Sequence, residues 1–154
     1  MTSTDNKLIV DPVTRQLMRG SLMAARLECE LLIERTAMPA FIRAKKDYQV
    51  NFLDRNGHEL FGDAMGSDMV GCVWDFYPVE GMAPGDLYWY NDPYMSKGSV
   101  THTPDMTFLA PVFFEGEPVA YCHSFAHFWD LGGSRPGSIG PANTEIFHDG
   151  TLVP

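Results

Sequence analysis

Two stretches of the chain combine residue types that can do chemistry: His102-Thr103-Pro104-Asp105 and His127-Phe128-Trp129-Asp130. Each sets a carboxylate three positions after an imidazole. Imidazole and carboxylate together bind divalent transition metals, with ligand atoms about 2.0 to 2.2 Å from the ion. A turn lets residues three apart converge on one point, and Pro104 helps fix such a turn. One such pattern has no specificity of its own, because histidine also caps loops and satisfies backbone carbonyls in cores.

The neighbouring sequence brings the patterns together. Met106 to Phe114 and Pro118 to Phe128 read as two strands joined by Glu115-Gly116-Glu117. In that hairpin the start of the first strand lies beside the end of the second, so His102, Asp105 and His127 can meet. His123 shares a strand face with His127 but lies about 13 Å away along it. It is therefore expected to be structural, or to orient a ligand through a hydrogen bond. His58 and His148 read as surface residues. Asp47 follows two lysines, which suits an ion pair, and Asp92 before Pro93 suits an Asx turn. Asp130, ahead of Leu131-Gly132-Gly133, is a loop brace, a support for a ligand, or a base.

The remaining elements frame this hairpin. Asp11-Pro12 has the form of a helix cap followed by proline at the first helical position. Leu17, Leu22, Met23, Leu27, Leu31 and Ile33 then carry a helix to about Arg35. Its apolar residues spread around the circumference, which predicts burial against more than one neighbour, with Gly20 at a close helix contact. Tyr48 to Leu53 alternates as a strand, and Asn56-Gly57 turns it back through Phe61. Residues 62–81 fit either a helix or an irregular packing layer. Leu87 to Tyr90 is a short aromatic strand ended by Asn91-Asp92-Pro93-Tyr94. The glycine-rich stretch 132–141 is an ordered functional loop or a linker ordered by a partner. The fold class is α+β, a long N-terminal helix packed on antiparallel hairpins.

Composition narrows the function. The chain has 154 residues, 45% of them apolar, enough for one domain or part of one. A net charge of −9 with no basic run argues against nucleic acid as a partner. The apolar stretches, Thr107 to Phe114 among them, are too short to cross a bilayer, and the N-terminus lacks a signal-like apolar region. A soluble, cytoplasmic protein is expected, with Cys29, Cys72 and Cys122 as reduced thiols. No phosphate-binding glycine loop, dinucleotide fingerprint or nucleophile elbow occurs.

Several motifs now line up in one order. They are Asp11-Pro12-Val13-Thr14, Lys46-Asp47, Pro84-Gly85-Asp86, Asn91-Asp92-Pro93-Tyr94, Thr101-His102-Thr103-Pro104-Asp105, Ala126-His127, Asp130-Leu131-Gly132-Gly133, Pro136-Gly137-Ser138 and Thr144-Glu145-Ile146. This succession, from Val10 to Pro154, resembles the hydantoinase B / 5-oxoprolinase family, which includes the alpha-type subunits of acetone and acetophenone carboxylases. The resemblance implies one divalent transition metal, Zn, Mn or Fe, on Asp47, His102, Asp105 and His127. It further implies ATP with Mg on a hydantoinase A-like partner subunit, and a lactam or ketone as substrate. Asp130 is the candidate base. His123, Asn91, Asp92 and Glu145 are expected to brace loops or support the ligands.

Two departures qualify the resemblance. Many relatives read His-His-Ala-Asp where this chain has His127-Phe128-Trp129-Asp130. That argues against a second metal, and the two aromatics either make the substrate pocket more apolar or belong to the core. Relatives also run several times longer, so residues 11–154 are expected to be the N-terminal part of such a subunit, preceded by a flexible segment 1–10. Alone, the chain is expected to be inactive and poorly soluble. Cyclic amide hydrolysis is the first reaction implied, ketone carboxylation the second, and a non-catalytic assembly role the alternative of another class.

Overall fold

Asp11 opens the longest element in the manner its residue type predicts. Its Oδ1 accepts from the N–H groups of Val13 and Thr14, both at 3.0 Å, and Pro12 occupies the first helical position. Helix α1 runs Pro12–Thr36. The computed structural model describes residues 10–61, 68–137 and 140–154, leaving aside the side chains of residues 40 and 41. The expected flexible segment 1–10 thus lies outside the described residues, Val10 excepted.

One side of α1 leans on the sheet. Leu22, Cys29 and Ile33 are half-buried, while Val13, Leu17, Leu27 and Leu31 are exposed. No residue of the helix is fully buried. The sheet and the following segment Ala40–Lys45 both lie against it, more than one neighbour as expected, yet they bury no helix residue fully. Gly20 has nothing within 4 Å of where a Cβ would stand, so it marks no close contact. Polar groups fasten the C-terminal half, where Tyr48 Oη donates to Glu34 at 2.5 Å and Lys46 Nζ lies 2.9 Å from the same carboxylate. A short helix α2, Ala40–Lys45, ends at Lys46 in a left-handed conformation that turns the chain into the sheet.

Five antiparallel strands form one sheet: β1 (Tyr48–Asp54), β2 (Glu59–Phe61), β3 (Tyr88–Tyr90), β4 (Asp105–Phe114) and β5 (Glu117–His127), in the order β2-β1-β5-β4-β3. The β4–β5 hairpin forms as expected, turning on Glu115 and Gly116, both at positive φ (51° and 87°). At the other hairpin Gly57 takes φ 79°, and the Asp54 N–H bonds to His58 O at 2.7 Å. β1 pairs with β5 from Tyr48 opposite Ala126 to Asp54 opposite Ala120, joining the two hairpins. β3 reaches only from Tyr88 opposite Leu109 to Tyr90 opposite Thr107, and β4 continues past it with Pro111 opposite Tyr121.

The core lies on the sheet face away from α1. Leu53, Leu109, Tyr121 and Tyr90 pack there with Met69, Val70, Cys72, Val73, Met82 and Val100. Of the two alternatives for residues 62–81, the described part follows the packing layer, with one helical turn α3 (Gly71–Trp74) and a 3-10 turn at Val79–Gly81; residues 62–67 lie outside the described set. Asp68 Oδ1 takes the N–H groups of Val70 and Gly71, a side-chain bond that starts a turn without propagating a helix. Trp74 closes this layer by donating Nε1 to Tyr121 Oη at 3.1 Å.

The glycine-rich stretch after Asp130 is strapped to the C-terminal residues. Ser134 N–H bonds to His148 O and Thr151 N–H to Leu131 O, both at 2.8 Å. A Cβ on Gly133 would stand 2.6 Å from His148 O, so this position takes only glycine without displacement of the backbone. Of the two readings for the stretch, its described part is an ordered loop.

Candidate metal centre

The β4–β5 register sets Asp105 directly opposite His127 at one end of the sheet. His102 arrives on the turn before β4, in which Asp105 N–H bonds to His102 O at 3.2 Å. The outcome is a three-residue cluster: one nitrogen or oxygen from each of His102, Asp105 and His127 lies within 4.8 Å of the others. His127 Nδ1 is 3.2 Å from Asp105 Oδ1 and 3.3 Å from His102 Nε2. His102 Nδ1 is 3.4 Å from Asp105 Oδ2 and 3.1 Å from Thr101 Oγ1. Two ligands about 2.1 Å from a common ion stand about 3.0 to 3.4 Å apart, between octahedral and tetrahedral edges. The two separations from His127 Nδ1 fall in that range, while His102 turns Nε2 toward His127 and Nδ1 toward Asp105, so one atom from each residue converges to within 4.8 Å; the donor set suits a first-row divalent ion.

Asp47 sits just before β1, beside the cluster. Its carbonyl takes the His127 N–H at 3.0 Å, and its Oδ2 is 3.8 Å from His127 Nδ1. It is the outlying member, and with His102 it forms the solvent-facing side. His127 is buried, so the cluster is closed behind and open in front. Burial pushes the Asp105 carboxyl above the ordinary carboxylate range, the imidazoles of His102 and His127 pull it down, and Asp47 adds to the rise.

The other candidate residues take different places. Asp130 is exposed and its Oδ1 accepts from Gly132 N–H at 2.9 Å, the loop-brace geometry. Asp92 closes the Asx turn, accepting from Tyr94 and Met95 N–H. Asn91 is fully buried; it donates to Thr103 O and Thr151 O and accepts from Val153 N–H, tying the cluster's loop to the C-terminal segment. Glu145 is exposed, and its carbonyl takes His148 N–H. His58 is exposed, and half-buried His148 accepts Thr144 N–H. Phe128 packs beside Phe108, 6.3 Å between ring centres, on the sheet face opposite the cluster. Of the two readings for that aromatic, packing is the one the geometry carries.

His123 makes no hydrogen bond to a cluster residue. It is fully buried between Asn51 and Leu109, and among the described residues neither ring nitrogen has a hydrogen-bond partner. Burial pushes its pKa down to about 4, which leaves it a neutral imidazole. Thr103 Oγ1, Thr107 Oγ1 and Asn51 Oδ1 are likewise buried without a protein partner. A buried polar group left unpaired costs about 1 to 3 kcal/mol. Sequence reasoning passed over Thr103, Thr107 and Asn51, since threonine and asparagine in a strand region carry no mark of burial.

Residues 11–154 match the family model described as hydantoinase B/oxoprolinase. The chain belongs to this family. The caprolactamase subunit beta of Pseudomonas jessenii is 30% identical to it, over 94% of this chain and 26% of the relative. The crystal structure of the ATP-dependent caprolactamase from that organism superposes with a TM-score of 0.77, again at 30% identity over 94% of this chain and 26% of that one. An acetone carboxylase, nucleotide-free, matches with a TM-score of 0.76 at 21% identity, over 93% of this chain and 20% of that one, which is a likeness of fold. The chain spans 24–27% of the length of three curated relatives and 11–12% of that of five longer ones. Among the described residues no helix is long and apolar enough to cross a membrane.

Proposed function

We propose that this hydantoinase B-type chain supplies the metal-binding part of a cytoplasmic, ATP-dependent enzyme that hydrolyses a cyclic amide. The observation that carries the reading is the convergence of His102, Asp105 and His127, one ligand atom from each lying within 4.8 Å of the others. Caprolactamase, a relative by sequence and by structure, supports a lactam as the substrate class. ATP with Mg would be bound by a hydantoinase A-like partner subunit, the described residues would be joined by the remainder of a hydantoinase B-like subunit, and Asp130 remains the candidate base.

One divalent ion, Zn, Mn or Fe, would be held by His102, Asp105 and His127 with Asp47 beside them, and supplies Lewis-acid polarisation of a carbonyl and activation of water. The chain's own residues set the conditions for this. His127 is locked by its backbone bond to Asp47 and by its place in the ladder, so its ring nitrogen is aimed before any ligand arrives. Asp105 is shielded from bulk water and pairs with both imidazoles, which orients them. Half-exposed His102 and Asp47 leave the front open, the arrangement a substrate-accepting centre needs.

The test is the metal content of the chain purified with the proteins that co-assemble with it, for wild type and Asp105→Ala. About one equivalent of a transition metal in the wild type and none in the variant is expected. No metal in either, from metal-replete cells, overturns the reading and favours a non-catalytic assembly role. Lactam-dependent ATP consumption identifies hydrolysis, whereas bicarbonate incorporated into a ketone moves the reaction to carboxylation.

A further inference from the structure

The sheet face that ends in the His102/Asp105/His127 cluster is organised in rows across β1, β5 and β4. Asp105 and His127 form the first row. Gln49, Phe125 and Thr107 align in the second, and Asn51, His123 and Leu109 in the third. At about 3.3 Å per residue, these lie about 7 and 13 Å from the first. In the fourth row Leu53 and Tyr121 belong to the core and Pro111 is buried beside them.

The rows between cluster and core set buried polar side chains beside half-buried Phe125 and the core residue Leu109. His123 is 0% exposed, Thr107 1%, Asn51 2%, and Thr103, on the turn beside the first row, 0%. Five polar atoms on these four side chains, including both His123 nitrogens, have no hydrogen-bond partner among the described residues. All four are uncharged, and together they offer donors and acceptors. Such a strip calls for a ligand that bonds in both directions. Internal water at such buried sites typically makes about three hydrogen bonds to otherwise unsatisfied groups.

We propose that Thr103, Thr107, Asn51 and His123 hold a file of internal water molecules running from the candidate metal centre to His123, which positions water for the reaction there. The role of that water rests on the hydrolytic reading above; the hydration of the strip does not. His123 is a positioning residue: its neutral ring donates from one nitrogen and accepts at the other, so it anchors the inner end without adding charge.

A high-resolution crystal structure of the chain in its purified complex, with and without metal, tests the hydration. Ordered water within hydrogen-bond distance of a His123 ring nitrogen and of Thr107 Oγ1, in both forms, is expected. A dry strip, or protein groups bonded to those atoms, overturns the proposal. His123→Leu and Thr107→Val test the role. Both are expected to keep the metal content of the wild type and its thermal midpoint at neutral pH, to lose about 10-fold in hydrolytic turnover and to alter its solvent isotope effect. Unchanged turnover and isotope effect in both variants overturn the positioning role. A metal-free wild type with water present in the strip would refute the hydrolytic reading while leaving the hydration established.

Discussion

His123 makes acid stability a direct measure of the buried polar strip. In the unfolded chain an imidazole takes up its proton near pH 6.5; in the folded chain burial delays this to about pH 4. Between those values the unfolded state binds more protons than the native state. The contribution is therefore fully present above about pH 6.5, declines as the pH falls, and is lost below about pH 4. The gap between 6.5 and about 4, at about 1.4 kcal/mol per pH unit, amounts to about 3 kcal/mol. For a chain of this size that corresponds to roughly 6 to 12 °C in thermal midpoint. His123→Leu removes the titrating ring, so its midpoint should fall less than that of the wild type between pH 7 and pH 4, by about that amount. Asp11 and Asp54, whose carboxyls are held low by hydrogen bonds, lose stability in acid equally in both proteins and cancel. Differential scanning calorimetry at matched ionic strength supplies the comparison. Parallel midpoint–pH curves for the two proteins would refute the reasoning.

Three other perturbations reach different parts of the fold. Asn91→Ala removes two donated bonds and one accepted bond and strands the buried Thr103 carbonyl; a loss on the order of 3 kcal/mol in urea unfolding is expected, with faster proteolysis after Gly150. Gly133→Ala places a methyl 2.6 Å from His148 O and 2.8 Å from Asp149 C, so hydrogen exchange at Ser134 and Thr151 should accelerate, with a stability loss of about 1 to 3 kcal/mol. Leu27→Glu together with Leu31→Glu removes apolar surface exposed on α1, and sedimentation velocity should show less self-association of the isolated chain than for the wild type.

The parts of the fold legible in the sequence are those governed by local chemistry. Asp11-Pro12 announces its helix, Asn56-Gly57 and Glu115-Gly116 announce their turns, and the alternation in β4 and β5 gives a pairing that brings Asp105 to His127. The candidate centre followed from that one hairpin. Less legible was everything decided by long-range packing. The apolar residues around α1 predict burial that β1 and α2 together provide only in part, because periodicity reports which surface can be buried and not how much of it meets a neighbour. Residues 68–81 look helical in their apolar content, yet Gly71, Pro78 and the Asp68 cap break them into turns that fill space above β1 and β5. Asp47 stayed ambiguous because its carboxylate is placed by β1 pairing with β5, a contact more than 70 positions distant in the chain.

Pro111 in β4 has a consequence for how this sheet behaves toward other chains. A proline nitrogen has no hydrogen to donate, and opposite Tyr121, ahead of the register shift between Val112 and Phe113, it faces away from β5, toward the side where β3 has already ended. The exposed margin of β4 therefore lacks the donor that an incoming strand would need to extend the pairing beyond Tyr88. A single imino acid sets the length of β3 and blunts a template for intermolecular β-aggregation, leaving the short β3 margin as the stretch of this side still able to accept a strand.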